Sequence, residues 1–131
     1  MFKRHLLIRM IKQAIRQHKP FVVLLNGDIG AGKTTFVSKI LKKIVSAQIT
    51  SPTFTIINQY SNNIFHIDLY RIKDEKELQN TDFYEIIHGD NVVFIEHPYN
   101  CVHASEYKNI KYGLSIDLWI DKKGKHHVKI G

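Results

Sequence analysis

Hydrophobic positions divide the first part of the chain into a helix, a strand and a second helix. Apolar residues recur every three or four positions over residues 4–18 until Pro20, which predicts an amphipathic helix there. Residues 21–25 form a short, continuous apolar run, as in a strand that is covered on both faces of a parallel sheet. Helical spacing returns over residues 33–45, with lysines left for solvent. A glycine-rich turn separates this strand from this second helix.

After the second helix, the pattern predicts two hairpins with a helical stretch and another strand between them. The predicted strands are rich in β-branched and aromatic residues, and each hairpin closes over a short polar turn. In chain order the predicted elements are strands over 53–60 and 64–70, a helical stretch in one or two pieces over 74–88, a fully apolar strand over 92–95, and strands over 113–120 and 128–130.

Composition is that of a single folded domain spanning residues 1–131. The chain has 44% hydrophobic and 24% charged residues, which argues against disorder. Its one cysteine, Cys101, forms no intrachain disulfide and supports no thiol-ligated zinc site, so a reducing compartment is favoured. No apolar run approaches the roughly 20 residues that span a bilayer. We therefore expect a cytoplasmic protein without a membrane partner.

Charge is distributed unevenly along the chain. The net charge is +7, yet residues 1–20 contain six lysines and arginines and no acidic residue, whereas residues 66–100 contain eight acidic residues against three basic ones. The folded surface should therefore be polarised. A basic face suits nucleic acid or an acidic protein partner. The alternative is an ordinary solvated amphipathic helix.

The turn at residues 27–34 carries the clearest chemistry. It reads Gly-Asp-Ile-Gly-Ala-Gly-Lys-Thr, which matches the phosphate-binding loop (P-loop) pattern G-x-x-x-x-G-K-[ST] between a predicted strand and a predicted helix. Glycines let backbone N–H groups surround the β-phosphate, and the helix start adds its positive dipole end. Lys33 supplies charge to the β- and γ-phosphates, and Thr34 supplies a hydroxyl to Mg²⁺. The pattern predicts a nucleoside-triphosphate site, and the alternative is a turn that only caps a helix.

Two carboxylates are candidates for work at the metal. A P-loop enzyme places an acid near Mg²⁺, usually at the end of an apolar strand beside the loop. Glu96 ends one predicted strand, and Asp68 follows another apolar run. Each could instead be a solvent-facing acid at a strand end. His66 shares a strand face with Asp68, so it is either half of a metal pair or a structural histidine.

Four segments, taken together, resemble the bacterial TsaE family of ATPases. The similarity covers about residues 20–100. The P-loop is generic, but the second and third segments are specific to this family in that order and spacing. The segments are residues 27–36, Ser51-Pro52-Thr53-Phe54, His66-Ile67-Asp68-Leu69-Tyr70-Arg71 and Phe94-Ile95-Glu96.

The resemblance implies a fold, an activity and partners. The implied fold is an α/β, P-loop NTPase-like three-layer fold, in which helices flank a mixed parallel and antiparallel sheet. The implied activity is ATP hydrolysis to ADP with Mg²⁺, slow without partners. Such ATPases act with TsaB and TsaD homologues in forming threonylcarbamoyladenosine beside the anticodon of tRNA, where they support repeated turnover. The tRNA would be met indirectly, through this complex.

The resemblance also assigns roles to residues of this chain. Thr34, Asp68 and Glu96 would serve the metal, with Asp68 and Glu96 also serving the attacking water. Thr53 would be a switch-like catalytic residue near the γ-phosphate. The family usually has tryptophan after the glutamate, whereas this chain has His97. We hypothesise that His97 replaces it as a flat side chain against a neighbouring group. The predicted nucleotide-binding residues are Gly27, Asp28, Ile29, Gly30, Ala31, Gly32, Lys33, Thr34 and Thr35.

Other P-loop functions fit the sequence less well. A small-molecule kinase usually closes several arginines over the phosphates, but Arg71 is the sole arginine beyond residue 16. A GTPase needs a guanine-reading N-K-x-D segment, which the sequence lacks. ATP is therefore the expected nucleotide. A nucleotide-dependent binding module with little catalysis of its own remains open.

Overall fold

The computed structural model describes residues 4–45, 56–110 and 113–130, and within them the chain forms five helices and six strands. The helices are α1 (Arg4–Arg16), α2 (Lys33–Ile44), α3 (Glu75–Gln79), α4 (Phe83–His88) and α5 (Ser105–Lys108). The strands are β1 (Phe21–Asn26), β2 (Ile57–Ser61), β3 (Ile64–Asp68), β4 (Val92–Glu96), β5 (Gly113–Ile120) and β6 (His126–Ile130).

The six strands form one mixed sheet in the order β2-β3-β4-β1-β5-β6. The four inner strands, β3, β4, β1 and β5, are parallel, and β2 and β6 pair antiparallel at the two edges. In this register Glu96 of β4 lies beside Leu25 of β1 on one side and Asp68 of β3 on the other. The carboxyl ends of three strands therefore meet at one edge of the sheet.

Helices cover both faces of the sheet, which gives three layers. α1 and α2 pack on one face, and α3, α4 and α5 pack on the other. Side chains alternate across each strand, so Val23 and Phe94 join the α1/α2 core while Val22 and Val93 join the opposite core. This burial on both faces explains the continuous apolar runs of β1 and β4. The predicted α/β three-layer fold with a mixed sheet is confirmed.

Two predicted elements end two residues early in the structure, and each difference has a local cause. Helix α1 ends at Arg16 rather than residue 18, because His18 adopts a left-handed φ of 53° that stops the helix. Strand β3 ends at Asp68 rather than residue 70. There the Asp68 carboxylate accepts a hydrogen bond from the Tyr70 backbone N–H at 3.0 Å, which turns the chain.

Other elements differ from the prediction in number or extent. The helical stretch forms two helices, α3 and α4, and the Asp74 side chain caps α3 by accepting the Glu77 N–H at 2.8 Å. Strand β6 begins at His126, two residues before the predicted start, and helix α5 was not predicted. The first hairpin strand begins at Ile57, and residues 51–55 lie outside the described residues. None of the described helices has the length and apolar content that a membrane crossing requires.

Candidate nucleotide-binding site

The loop between β1 and α2 has the backbone that a phosphate cradle requires. Gly27, Gly30 and Gly32 have φ angles of 153°, 85° and 96°, a backbone conformation that residues with a side chain rarely adopt. At Gly27 a Cβ atom would also lie 2.5 Å from the carbonyl oxygen of Leu118 in β5. Gly32 caps α2 without a side-chain hydrogen bond, so the first helical N–H groups are left to other acceptors.

Lys33 is the buried cation of this loop. The residue is 4% exposed, and its ammonium donates hydrogen bonds to the backbone carbonyls of Gly27 at 2.6 Å and Asp28 at 2.8 Å. The charge is therefore held inside the turn of the loop. A phosphate at this place would offer the same ammonium a charged acceptor, which forms shorter and stronger hydrogen bonds than a neutral carbonyl.

Thr34 and Glu96 form the second feature of the site. The Thr34 hydroxyl lies 2.9 Å and 3.0 Å from the two carboxylate oxygens of Glu96 and donates its proton to this carboxylate. Glu96 ends β4 on the face where α1 and α2 pack, because it continues the alternation of Val92 and Phe94. Its side chain is 4% exposed. The sheet thus delivers a buried carboxylate to the start of α2.

His66 holds the same carboxylate from the other side. Its Nε2 lies 2.5 Å from a carboxylate oxygen of Glu96, and both side chains are buried. Burial acts to raise the pKa of Glu96, but hydrogen bonds from His66 and Thr34 and the charge of Lys33 outweigh it and hold this pKa below its ordinary value. Glu96 is therefore ionised at neutral pH despite its burial.

Asp68 lies beside Glu96 at the same edge of the sheet. The two residues are register partners in β3 and β4, and both line the cavity in front of the P-loop. Asp68 is half-buried, and it also turns the chain through the Tyr70 N–H. The structure therefore brings together Thr34, Asp68 and Glu96, the three predicted metal residues.

The donor set fits Mg²⁺ rather than a transition metal. No three His, Cys, Asp or Glu side chains gather as a metal site in the described parts of the chain. Mg²⁺ needs fewer protein ligands, because it keeps several waters and takes the rest of its oxygens from substrate phosphates. The Thr34 hydroxyl and the carboxylates of Glu96 and Asp68, which line the same cavity, are the oxygen atoms that would hold it.

His97, the residue after Glu96, packs against Tyr70. The two ring centroids are 5.0 Å apart with the planes tilted by 47°, and His97 has a left-handed φ of 53°. Burial, followed by the charge of Lys33, lowers the pKa of His97 against the opposing effects of Asp68, Glu96 and Asp28. The imidazole is therefore a neutral, planar group at the edge of the site. We hypothesised that His97 lies flat against a neighbouring group, and the group beside it is the ring of Tyr70.

Two cavities meet at the start of α2, and Gly32 and Thr35 line both. The cavity in front of the P-loop measures about 450 Å³ and contains the predicted carboxylates. The other cavity measures about 610 Å³ and lies between α1, α2 and the β5–β6 hairpin. The first is lined by Ile29, Gly30, Gly32, Lys33, Thr34, Thr35, Asp68, Tyr70, Arg71, Glu96 and His97. The second is lined by Arg4, Ala31, Gly32, Thr35, Phe36, Lys39, Leu118, His126, His127 and Val128.

The structure accounts for the predicted site residues in different ways. All predicted nucleotide-binding residues except Gly27 and Asp28 line one of the two cavities, and those two supply the carbonyls that hold Lys33. Thr53 lies outside the described residues. The hydrogen bond from His66 to Glu96 and the cavity wall formed by Arg4 and the β5–β6 hairpin were not predicted. The sequence signal for His66 was its place two residues before Asp68 on one strand face.

Comparison with known proteins identifies relatives of one kind. The family model described as "Threonylcarbamoyl adenosine biosynthesis protein TsaE" matches residues 3–127. A protein from Rickettsia typhi named "tRNA threonylcarbamoyladenosine biosynthesis protein TsaE" is 44% identical over 80 residues, which cover 57% of this chain and 55% of the relative. A protein of the same name from Bacillus subtilis is 40% identical over 79 residues, covering 57% and 49%. The chain spans about half the length of such relatives.

A solved structure supports the fold. The crystal structure of Bacillus subtilis YdiB superimposes with a TM-score of 0.63 and covers 94% of this chain and 78% of that one. Sequence identity in this superposition is 22%, so the similarity speaks for the architecture of the sheet and its helices.

Proposed function

The chain belongs to the TsaE family, and we propose that it is an Mg²⁺-dependent ATPase that serves the formation of threonylcarbamoyladenosine in tRNA. One observation carries the proposal. Beside the buried ammonium of Lys33, the Thr34 hydroxyl is hydrogen-bonded to the buried carboxylate of Glu96. A loop that only capped a helix would have no need of a buried cation and a buried anion at the same place, because burying charge is costly.

The two cavities suit the two parts of ATP. Phosphates would enter the 450 Å³ cavity, where Lys33 and the first N–H groups of α2 are the donors. The base and sugar would enter the 610 Å³ cavity, which continues past Gly32 and Thr35. The sequence has no guanine-reading N-K-x-D segment, which favours ATP over GTP.

Hydrolysis would use Glu96 and Asp68. Glu96 is ionised, buried and fixed by two neighbours, so its oxygens are oriented before a nucleotide arrives. Such a carboxylate can orient the attacking water, and Asp68 lies close enough to share this role. A bound Mg²⁺ would supply positive charge between the β- and γ-phosphates.

Partners would complete the function. The exposed side chains of Ile29 and Tyr70 line the phosphate cavity, and Arg71 is the one arginine among the described residues of its lining. Such a site is expected to turn over slowly by itself, because water-excluding closure strengthens electrostatic catalysis. We propose that TsaB and TsaD homologues provide this cover in the cytoplasm, and that the tRNA is modified within the complex.

The test separates nucleotide binding from turnover. Calorimetric titration in Mg²⁺ should give tighter binding of ATP than of GTP. Glu96→Gln should keep ATP affinity within about threefold, because binding rests on the P-loop, but should lower turnover by about 100-fold or more. Glu85→Gln, on the exposed surface of α4, is the matched control and should match wild type.

Three results would overturn the proposal. Tighter binding of GTP would contradict the choice of nucleotide. Turnover by Glu96→Gln at the wild-type rate would remove the catalytic role of the carboxylate. ATP binding without any turnover, in wild type with or without partners, would leave a nucleotide-dependent binding module in place of an ATPase.

A further inference from the structure

The two helices on one face of the sheet carry basic residues and no acidic ones. Helix α1 has the sequence RHLLIRMIKQAIR and α2 has KTTFVSKILKKI, so neither contains an aspartate or glutamate. Lys33 of the P-loop is buried, and the other seven lysines and arginines are exposed. Arg4 and Lys39 also line the 610 Å³ cavity. We call the six that follow Arg4, without Lys33, the basic layer: Arg9, Lys12, Arg16, Lys39, Lys42 and Lys43.

These side chains are on the outer side of the two helices. Leu7, Ile11 and Ala14 are buried against the sheet, so Arg9 and Arg16, seven positions apart, lie on the opposite side of α1. Helix α2 packs beside α1 and turns its own lysines away from the same core. Because α1 is 13 residues long, the layer extends for about 20 Å, which is enough for several successive phosphates.

The other helical layer has the opposite character. Helices α3 and α4, with their caps, carry exposed acidic side chains against one lysine, Lys76, and α5 adds one acidic and one basic residue, Glu106 and Lys108. The exposed acidic residues are Asp74, Glu75, Glu77, Asp82 and Glu85. A polyanion is therefore attracted to one face of this molecule and repelled from the other, which gives it a defined side of approach.

The chemistry of the basic layer matches nucleic acid better than protein. Four of its six residues are lysines, which are depleted at the core of protein–protein interfaces but are common contacts to phosphate. The exposed apolar residues of α1, Leu6 and Met10, lie on one flank of the helix, between its buried stripe and its basic stripe. The layer thus offers phosphate contacts and no apolar centre for a protein partner.

We propose that the basic layer binds the phosphate backbone of tRNA directly. The choice of tRNA among polyanions rests on the proposed function, while the attraction to an RNA backbone rests on the layer itself. The contact is electrostatic, so it positions the tRNA without reading its sequence. It needs neither nucleotide nor the residues of the P-loop.

The test measures tRNA binding by the chain alone, without ATP, at several salt concentrations. The variant Arg9→Gln/Lys12→Gln/Lys42→Gln removes three charges from the layer and keeps good helix-forming residues. It should bind unmodified tRNA about tenfold more weakly at low salt, and the slope of log K against log salt should fall by about 2 to 3. The matched control, Lys122→Gln/Lys123→Gln/Lys125→Gln, removes three exposed charges from the β5–β6 turn and should stay near wild type.

Each outcome decides the proposal. If both variants lose tRNA affinity equally, net charge alone attracts the RNA, and the proposal is overturned. Unchanged tRNA binding in the first variant, with lost binding to TsaB or TsaD homologues, would assign the layer to a protein and also overturn it. Circular dichroism and thermal unfolding establish that both variants are folded. Because no step uses ATP, the result is independent of whether the chain proves to be an ATPase.

Discussion

At the scale of single residues, the site depends on one carboxylate held by residues that are distant in the sequence. Thr34 and His66 both bond to Glu96, across 62 and 30 positions of the chain. Thr34 and Glu96 could be predicted singly, because Thr34 ends the P-loop pattern and Glu96 ends an apolar strand. The His66 bond could not be predicted, because it depends on the register between β3 and β4, which an apolar run does not specify.

Lys33→Ala tests the cation of the loop. The substitution removes a buried ammonium that is expected to meet phosphate through charge-assisted hydrogen bonds, worth about 1.5 to 3 kcal/mol each. ATP affinity should fall by roughly 10- to 100-fold, as measured by calorimetric titration. Lys43→Ala, exposed near the far end of the same helix, is the control and should bind ATP like wild type. Equal affinities for Lys33→Ala and the control would mean that the loop is only a turn.

His66 is expected to act through Glu96 as a positioning residue. His66→Ala leaves one side of a buried carboxylate without its partner, which costs about 1 to 3 kcal/mol. We expect kcat to fall by about tenfold or more while KM for ATP changes little, because the phosphate donors are untouched. His66→Gln, whose amide N–H can reach the same oxygen, should recover part of kcat.

The rescue separates positioning from stability. Thermal unfolding of both variants gives the folded fraction by which kcat is corrected. If corrected kcat is normal in His66→Ala, His66 serves the stability of the strand and has no part in turnover.

At the scale of elements, the P-loop is fixed by its neighbours as much as by its own glycines. The unit from β1 to α2 could be predicted, because a buried strand, a glycine-rich turn and an amphipathic helix each have a strong local pattern. Short helix α5 could not, since four residues carry too little periodicity. The start of β6 could not be predicted either, because His126 and His127 interrupt the apolar alternation.

Two glycines of the loop should respond differently to alanine. Gly27 has both an unusual φ and the carbonyl of Leu118 where a Cβ would lie, whereas Gly30 has an unusual φ and open space. Gly30→Ala should therefore cost backbone strain alone, about 1 to 2 kcal/mol. Gly27→Ala should lower the free energy of unfolding by about 1 to 3 kcal/mol more, because β5 must move. Urea unfolding measures both, and equal losses would contradict the close approach of β5.

At the scale of the whole molecule, one sheet separates two chemically different surfaces. The α1/α2 layer is basic and contains the start of the P-loop helix, while the α3/α4 layer is acidic. The charge split along the sequence predicted a polarised surface, because the basic segment forms α1 and the acidic segment contains α3 and α4. The strand order could not be predicted from the residues, since nothing local indicates that β1 lies between β4 and β5. The mixed parallel and antiparallel sheet was predicted from the family resemblance.

The last prediction concerns repeated modification of tRNA by an assembly of this chain with TsaB and TsaD homologues. If ATP turnover at Glu96 resets that assembly, wild type should give several modified tRNA molecules per complex. Glu96→Gln should give about one or fewer, because it binds ATP but lacks the charge that orients water. Omitting this chain should also prevent a second round. Modified nucleoside is counted by mass spectrometry against active complex. Full multiple turnover with Glu96→Gln, or no gain from wild type, would show that hydrolysis in this chain does not drive the cycle.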